Sequence, residues 1–335
     1  MHQPIEEAQA LDILRPYPSL LLAISGGPDS VALMLLMKKW TARANHSIAV
    51  ATVDHGLREE SSLEAETVGR WAQELGFTHH RLNWLGEKPT TSLQERARDA
   101  RYHLLEACAK EISADAIVTA HHADDQAETI LLRLTRGSGL SGLAGMAGRR
   151  KLNKIQLLRP LLSFSKADLI KICHQAQHPF FNDPTNLNDK YTRARLRKIM
   201  PTLAEEGLTS EALRRLGRRA QRVNEALEFY ARNARAQALL DQQDAKTLFS
   251  ALELEHLPSE IVLRLLAQEI ARLSPQFLLK LERLERLVAQ LHEALQRSAP
   301  WQKTLAGCII KINNGAVEIS RAPPRKGPTT IKNAS

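Results

Sequence analysis

The sequence has few aromatic residues and few cysteines. Aromatic side chains make up 4% of its 335 residues, which argues against a binding surface built mainly from stacked rings. The three cysteines, Cys108, Cys173 and Cys308, are odd in number and far apart, and no C-x-x-C pair is present. A disulfide framework is therefore excluded, and each cysteine is expected to fill buried apolar space.

Long apolar runs and a basic leader followed by an apolar segment are also missing. The first 17 residues are acidic, and the longest apolar runs are well short of the roughly 18 residues that predict a membrane span. We therefore expect a cytoplasmic protein without a membrane partner.

The composition that is present is ordinary for a globular protein, except for its charge. Hydrophobic residues make up 43% and charged residues 25%, which supplies ample material for a core. The length predicts two domains and a small third piece. The net charge of +9 indicates a polyanionic partner, either nucleic acid or an acidic membrane surface.

One stretch near the N-terminus combines a strand, a tight turn and a helix. An apolar run over 20–24 precedes the turn, and an apolar, helix-compatible run follows to residue 37. The turn consists of Ser25, Gly26, Gly27, Pro28, Asp29 and Ser30. Glycines let backbone N–H groups surround an anion at the positive end of the following helix, and Asp29 is a candidate Mg²⁺ ligand. An ordinary βα turn is the alternative, and no Walker motif is present.

Strands and helices alternate through the first half of the chain. Further strands are predicted over 47–53, 77–84 and 116–119, with helices over 61–75, 92–112 and 123–135. This alternation predicts an α/β fold with a mostly parallel sheet covered on both faces. Ligands bind at the carboxyl ends of the strands in such sheets.

Two more polar clusters follow predicted strands. DHGLR at 54–58 begins with Asp54, and HHADDQAET at 121–129 contains Asp125 and Glu128, which share one helix face. Each cluster alone could be a solvated loop, but together with the glycine turn they predict one active site. Two carboxylates near a phosphate loop suit Mg²⁺ or a cationic nucleophile. Zinc is disfavoured because the adjoining histidines lack H-x-x-x-H spacing and a cysteine partner.

Arginines and glycines flank these clusters. Arg98 and Arg101 lie on one face of the helix over 92–112, where they either face solvent or stabilise phosphate charge. The glycine-rich stretch 137–148 is either a loose connector or a packed segment anchored by Leu140, Leu143 and Met146. We favour the packed alternative, since its glycines would let the backbone approach a base or ribose.

The second half of the chain is basic and mostly helical. Nine lysines and arginines against three acids lie between 193 and 222, and this excess is expected to contact phosphates. A solvated helix is the alternative. The predicted domains are 1–205, with the α/β fold, a smaller helical domain over 206–300, and a β-hairpin with a loose basic tail over 301–335. Asn313, Asn314 and Gly315 form the predicted hairpin turn.

Taken together, these strings resemble the bacterial tRNA(Ile)-lysidine synthetases, members of the PP-loop ATP pyrophosphatase superfamily. The resemblance covers about 19–201 closely and rests on SGGPDS, VDHGLR, ARYH, TAHHADDQAET, LTRGSGLSGLAGM, RPLL, and DPTN followed by TRARLRKIMP. It implies a Rossmann-like domain of the adenine nucleotide alpha hydrolase type, with a helical tRNA-binding domain after it.

The resemblance also implies a two-step reaction. The C2 oxygen of the wobble cytidine in a CAU anticodon attacks the α-phosphate of ATP and releases pyrophosphate. The ε-amine of free lysine then displaces AMP and gives lysidine, which changes codon recognition from AUG to AUA and the amino acid from Met to Ile. ATP, Mg²⁺, free lysine and tRNA(Ile) are the implied ligands, and a homodimer is compatible with the family.

The resemblance assigns candidate residues to these steps. The loop Ser25 to Ser30 would hold pyrophosphate, with Asp29 acting through Mg²⁺, and Arg101 would stabilise phosphate charge. Asp54, Asp125 and Glu128 are candidates for binding the lysine ammonium, deprotonating it or ligating metal, and the sequence leaves these roles open. The candidate tRNA contacts are Arg193, Arg195, Arg197, Arg214, Arg215 and Arg218, the first three of which could instead close over the site.

The sequence departs from the family pattern at one position, and three other classes of protein are alternatives. The family pattern has an Arg-Asn pair after DPTN, whereas this chain has Arg193 followed by Ala194. Thiolating tRNA enzymes of the superfamily need cysteines, commonly paired as C-x-x-C, whereas the three cysteines here are isolated. Amidating ligases need a glutaminase domain or partner, and no N-terminal cysteine nucleophile is present. A non-catalytic RNA-binding protein would not need the carboxylates Asp29, Asp54, Asp125 and Glu128 together.

Overall fold

The computed structural model describes residues 9–41, 46–56, 60–86, 93–182 and 192–323. The chain divides into two compact units, Met1–Ala220 and Gln221–Ser335. The division falls inside a long helix, later in the chain than the boundary predicted after residue 205. DPTN and residues 324–335 of the predicted C-terminal tail lie outside the described residues. Within the described part of the chain, no helix combines the length and apolarity needed to cross a membrane.

The first unit is built on a six-stranded sheet with the order β3-β2-β1-β4-β6-β5. Its strands are β1 Ser19–Ala23, β2 Ser47–Asp54, β3 Thr78–Asn83, β4 Ala116–Thr119, β5 Arg149–Leu152 and β6 Ile155–Leu158. Neighbouring strands are parallel except β5 and β6. The four strands predicted from the sequence are confirmed, with end points shifted by at most two residues.

Helices cover both faces of this sheet, because its central strand is apolar on both sides. Leu20 and Leu22 contribute to one core, and Leu21 contributes to a second core on the other face. The helices are α1 Pro28–Thr41, α2 Ser61–Glu74, α3 Leu93–Glu111, α4 Ala123–Thr135, α5 Leu140–Leu143, α6 Lys166–Gln175 and α7 Thr192–Glu205. Residues of α1, α2 and α6 share the first core, and those of α3 share the second.

The hairpin of β5 and β6 was not predicted. Its first strand, Arg149–Leu152, is largely exposed and carries three consecutive cationic residues, so it has no alternating apolar pattern. Asn153 takes a left-handed φ of 49° at the turn. Pairing of β6 with the buried strand β4 decides the strand conformation here, since β propensity depends strongly on the neighbouring strand.

The second unit combines helices with an antiparallel sheet. The helices are α8 Ser210–Ala238, which begins in the first unit, α9 Ala251–His256, α10 Ser259–Leu273 and α11 Leu281–Gln296. The strands are β7 Leu239–Gln242, β8 Lys246–Ser250, β9 Gln302–Leu305, β10 Cys308–Asn313 and β11 Ala316–Arg321, in the order β7-β8-β11-β10-β9. The predicted hairpin turn is confirmed, with φ of 48° at Asn314 and 74° at Gly315.

The region over 206–300 is mostly helical as predicted, but it also supplies two strands that were not predicted. Leu239 and Leu240 lie in the predicted helical domain but begin β7, and β8 pairs with β11 of the C-terminal hairpin. The hairpin therefore belongs to the same sheet rather than standing apart. Phe249 and Ile319 are buried beside α10 and α11 in one core, and this tertiary packing decides the strand conformation.

Candidate active site

The order of the strands places a crevice between β1 and β4. The chain leaves β1 toward β2 on one side and reaches β4 on the other, so the strand order reverses at this point. Crevices at such reversals bind ligands in open α/β sheets. The loop after β1 carries Ser25 to Ser30, and the loop after β4 carries His121 and His122. The sequence prediction that these two clusters meet is confirmed.

The glycine turn is held in place by contacts on its outer side. Gly26 has a φ of 84°, and its carbonyl accepts a hydrogen bond of 2.9 Å from the N–H of Phe181. The Phe181 ring stacks on Trp71 and lies against Gly26 so closely that an added Cβ would be 2.5 Å from it. Inside the turn, the Ser30 hydroxyl donates to the Gly27 carbonyl at 3.0 Å. The turn is therefore preorganised at the N-terminus of α1.

A cavity of about 180 Å³, called here the loop cavity, opens beside this turn. Its lining joins the turn to the opposite helix α3: Ser25, Gly27, Asp29, Ser30, Arg98, Arg101, Tyr102, His121 and Asp125 are among its residues. Arg98 lies over the Tyr102 ring, 5.1 Å from its centroid. Two guanidinium groups, backbone amides and a helix N-terminus suit a polyanionic ligand such as a nucleotide phosphate chain.

Asp29 and His122 connect the turn to the start of α4. His122 Nε2 lies 3.5 Å from Asp29 Oδ2 and 3.5 Å from Asp125 Oδ2. The His122 side chain is only 3% exposed, whereas that of Asp29 is 28% exposed. Asp29 Oδ1 is buried and has no hydrogen-bond partner among the described residues. Such an unpaired buried oxygen leaves room for a donor or a cation supplied by a ligand.

His122 also forms the N-cap of α4. In its neutral form Nδ1 accepts the Asp124 N–H at 3.2 Å, while the Asp125 carboxylate accepts the His122 N–H at 3.1 Å. Burial alone would lower the pKa of His122, but hydrogen bonds to Asp124 and Asp29 and the charge of Asp125 raise that pKa to about 10. The hydrogen bond between the His122 and Asp124 side chains also lowers the pKa of Asp124. Together with a hydrogen bond from the Lys166 backbone N–H, it brings that pKa to about 2.

Asp125 and Glu128 share one face of α4, as their spacing predicted, and both contact Arg197 of α7. The Arg197 guanidinium makes a bidentate contact with Glu128, with Nη2 at 3.3 Å from Oε2, and its Nη2 lies 3.7 Å from Asp125 Oδ1. Glu128 is almost fully buried, with a side-chain exposure of 6%. Burial works against the charge of Arg197, but its ion pairs raise the pKa of the guanidinium.

A second cavity of about 320 Å³, called here the helix cavity, lies along this face of α4. It is lined by His122, Asp124, Ala127, Glu128, Lys166, Arg197, Met200 and Ser210. Two acidic groups, two cationic groups and apolar surface therefore occur together. The first turn of α4 contributes to both cavities, Asp125 to the loop cavity and His122 to the helix cavity.

Asp54 makes its hydrogen bonds with residues other than the candidate carboxylates, while Nε2 of its neighbour His55 lies 3.4 Å from Arg101 Nη2 at the loop cavity. It ends β2, where Oδ1 accepts hydrogen bonds from Ser61 Oγ at 2.6 Å and the Gly56 N–H at 2.9 Å. Arg81 Nη2 donates to Oδ2 at 2.8 Å. Burial would raise the pKa of Asp54, but these hydrogen bonds lower it below its ordinary value. Asp54 is absent from the linings given for the two cavities in the described chain, and its contacts hold the start of α2.

The candidate tRNA-contacting arginines lie in different environments. Arg197 faces the carboxylates of α4, and Arg195 is exposed with a hydrogen bond to Thr192. The side chain of Arg193 lies outside the described residues. In α8, Arg214 and Arg218 both pair with Glu211, and Arg215 is exposed. The exposed members of this set remain candidates for phosphate contact.

The glycine-rich stretch after α4 is packed, which is the alternative we favoured. Arg133 Nη1 donates to the carbonyls of Gly142 at 2.7 Å and Gly145 at 2.6 Å. The Gln126 side chain bonds both the N–H and the carbonyl of Met146, at 2.6 and 2.8 Å. Leu140, Leu143 and Met146 are half-buried. Side chains of α4 therefore fix the backbone of this segment.

The side chains that could ligate a metal ion and the three cysteine thiols bear on metal and sulfur chemistry. The described residues include no group of three or more His, Cys, Asp or Glu side chains placed to hold a metal ion. The three cysteines are free and buried. Burial raises the pKa of the Cys173 thiol to about 11, with the charge of Asp29 adding to the effect. Buried thiols of raised pKa are poor nucleophiles.

Three residues of the site were not singled out by the sequence. His122 was noted only as preceding α4, although Asp125 three residues later has the spacing of a capping box. Lys166 follows the capping Ser165 of α6 and lines the helix cavity. Phe181 gave no sequence signal, because its contact with Gly26 joins distant parts of the chain.

The fold and the loop cavity define a nucleotide-binding enzyme of the PP-loop class. Residues 2–203 match the family model described as PP-loop domain. A solved U34-tRNA thiolase from Methanococcus maripaludis, with its [4Fe-4S] cluster, has the same fold, with a TM-score of 0.56 over 65% of this chain and 78% of that chain at 16% identity.

Curated relatives show which family within the PP-loop class the chain resembles. The tRNA(Ile)-lysidine synthase of Bradyrhizobium sp. BTAi1 is 42% identical over 97% of this chain and 97% of its own length. That of Methylobacterium sp. 4-46 is 44% identical over 92% of this chain and 90% of its own length. The chain belongs to the tRNA(Ile)-lysidine synthase family.

Proposed function

We propose that the chain joins free lysine to C2 of the wobble cytidine in the CAU anticodon of tRNA(Ile). The cytidine C2 oxygen attacks the α-phosphate of ATP and pyrophosphate leaves. The lysine ε-amine then attacks C2, and AMP leaves with that oxygen. The observation that carries the proposal is the sharing of one helix turn by two cavities of different character, the loop cavity and the helix cavity.

ATP belongs in the loop cavity. The Gly26 turn and the N-terminus of α1 supply backbone donors for the β- and γ-phosphates. Arg101, and Arg98 beside it, face the turn across the cavity, where a guanidinium can stabilise charge on the α-phosphate as the leaving pyrophosphate forms.

Mg²⁺ fits this arrangement as a companion of ATP. Asp29 Oδ1 is a buried carboxylate oxygen without a hydrogen-bond partner among the described residues. Mg²⁺ is usually held by one or two carboxylates together with substrate phosphates rather than by an all-protein cage. Asp29 would hold the ion, which supplies charge neutralisation at the phosphates when bound.

Free lysine belongs in the helix cavity. Lysine carries two ammonium groups and one carboxylate on an apolar stem, and the lining offers Asp124 and Glu128 for ammonium, Lys166 and Arg197 for carboxylate, and Met200 for methylenes. Asp125 lies on the side of the loop cavity. The ε-amine would therefore meet the activated base near the shared turn of α4, where a carboxylate can take up its proton.

tRNA is the substrate that explains the positive charge. The net charge of +9 suits an RNA backbone, and Arg195, Arg215 and Arg218 are exposed cations for phosphate contact. A tRNA substrate also implies a cytoplasmic reaction. A homodimer, which is compatible with the sequence resemblance, is part of the proposal.

The test is incorporation of radiolabelled lysine into unmodified tRNA(Ile) with a CAU anticodon, in the presence of ATP and Mg²⁺. We expect label in the tRNA that depends on ATP and is lost in Asp29→Ala. A tRNA(Met) with the same anticodon triplet serves as the substrate control.

Pyrophosphate release is followed in the same reactions. Release without lysine incorporation, with tRNA bound, would keep the adenylation step and contradict lysine as the nucleophile. Equal activity of Asp29→Ala and the wild type would contradict the assignment of the loop cavity to ATP.

A further inference from the structure

The buried side chain of His122 has no role in the reaction proposed above, although it touches three of the acidic residues around the two cavities. Its ring lies between the turn that follows β1 and the first turn of α4. Nε2 is 3.5 Å from both Asp29 Oδ2 and Asp125 Oδ2, and Nδ1 lies beside Asp124. Since the ring is only 3% exposed, water does not compete effectively for these contacts.

The two ring nitrogens of His122 contact different groups. Nδ1 lies at the N-cap position of α4, 3.2 Å from the Asp124 amide nitrogen. Nε2 points to the opposite side, where both nearby atoms are carboxylate oxygens that can only accept. A hydrogen on Nε2 is therefore required there in the neutral ring as well as in the cation.

The contact of Nε2 with Oδ2 fixes one oxygen of Asp29 and leaves the other available. Oδ2 faces His122, whereas Oδ1 is buried without a hydrogen-bond partner among the described residues. Asp29 also lines the loop cavity. A carboxylate held through one oxygen presents the other in a fixed direction, as partners of ligating side chains do in metal sites.

We propose that His122 is a positioning residue for the reaction: its Nε2–H holds Asp29 and Asp125 together, so that Asp29 Oδ1 is directed to the Mg²⁺ and phosphates of ATP. The ring lines the helix cavity as well, but the effect proposed here acts through Asp29 and not on the reacting atoms. The proposal rests on the use of Mg²⁺ and ATP at the loop cavity, and it does not require the ring to change its protonation state.

Two substitutions separate the two nitrogens. His122→Asn places a side-chain oxygen near the position of Nδ1, where it can cap α4, and removes the donor that reaches Asp29. His122→Gln places an amide donor near the position of Nε2 and loses the cap. The measurement is binding of Mg²⁺-ATP by isothermal titration calorimetry, with circular dichroism and thermal melting to verify that each variant is folded.

We expect His122→Asn to weaken Mg²⁺-ATP binding by roughly 10- to 100-fold, the usual effect of removing a partner of a ligating side chain. His122→Gln should recover most of the affinity even if its melting temperature is the lower of the two. In an Asp29→Asn background, His122→Asn should cause no further loss, because the two residues act through one contact.

Three results would overturn the proposal. Wild-type affinity in His122→Asn would show that Asp29 does not need the contact. An equal loss in both His122 variants that persists in the Asp29→Asn background would assign His122 to folding alone. If the wild type itself fails to bind Mg²⁺-ATP, the proposed function fails with it, whereas normal wild-type binding with unaffected variants removes only the role of His122.

Discussion

At the scale of single residues, the site depends on how its buried carboxylates are paired. Glu128 is nearly inaccessible to water, and a buried carboxylate is tolerated only with a partner. Arg197 supplies that partner from a different helix. The pair makes one wall of the helix cavity, and a cationic ligand there would interact with the same carboxylate.

Glu128→Gln keeps the shape of the side chain and removes its charge. We expect the KM for lysine to rise roughly 10- to 100-fold, since a hydrogen bond to a charged group contributes about 1.5–3 kcal/mol. The KM for ATP should change little. Steady-state lysine incorporation at varied lysine and at varied ATP separates the two constants.

Glu211→Gln is the matched control, because Glu211 is also paired with arginines but is half exposed on α8. It should leave the KM for lysine unchanged. A rise of both KM values by the same factor in Glu128→Gln would contradict the assignment of the helix cavity to lysine.

At the scale of elements, two loops are held by side chains from elsewhere in the first unit. The turn after β1 depends on Gly26, whose positive φ and contact with Phe181 leave no space for a side chain. Gly27 differs, because the nearest atom to an added Cβ there is Ser25 Oγ at 3.8 Å. The two adjacent glycines therefore form a matched pair for substitution.

Gly26→Ala should lower the stability of the protein, because a left-handed conformation costs an alanine about 1–2 kcal/mol and the Phe181 ring must move in addition. Gly27→Ala should leave the melting temperature near that of the wild type. Thermal unfolding followed by circular dichroism measures both. Equal melting temperatures for the two variants would show that the turn adapts more easily than its contacts imply.

The glycine-rich stretch after α4 is the second such loop. Arg133→Met removes the guanidinium that donates to Gly142 and Gly145, so we expect faster hydrogen–deuterium exchange across 138–147. Arg136→Met changes an exposed arginine on the same helix end and should leave exchange unchanged. Unchanged exchange in both variants would mean that Gln126 alone holds the segment.

At the scale of the whole molecule, charge and fold have separate consequences. The excess of cations favours a polyanionic partner whatever the fold, whereas the sheet order of the first unit determines where its crevice lies. The helix α8 carries exposed arginines that have no part in either cavity lining among the described residues.

Arg215→Ala should weaken tRNA binding for all tRNAs alike. Loss of one phosphate contact reduces the slope of log affinity against log salt concentration by about 1. Arg286→Ala is the control, since Arg286 is an exposed arginine on α11. Filter binding at several salt concentrations provides the slopes, and identical slopes for both variants would exclude Arg215 from the tRNA contact.

The sequence alone determined the class of the first unit and indicated several of the polar groups that line its two cavities. Apolar runs of strand length alternating with helical patterns specified the parallel sheet, because the two periodicities are local properties of the chain. The turn of Ser25 to Ser30 and the spacing of Asp125 and Glu128 indicated, for the same reason, the groups that the proposed function assigns to phosphate and lysine. The hairpin turn at Asn314 and Gly315 was also predicted, since positive φ angles favour these residues.

Only the tertiary structure decided which polar groups face each other. In the folded chain, Asp54 accepts a hydrogen bond from Arg81, and Arg197 pairs with Glu128. The His122 ring lies between Asp29 and Asp125. The tertiary structure also made strands of β5, β7 and β8. These outcomes depend on contacts between distant parts of the chain, where burial and pairing outweigh local propensity, so no local pattern could have specified them.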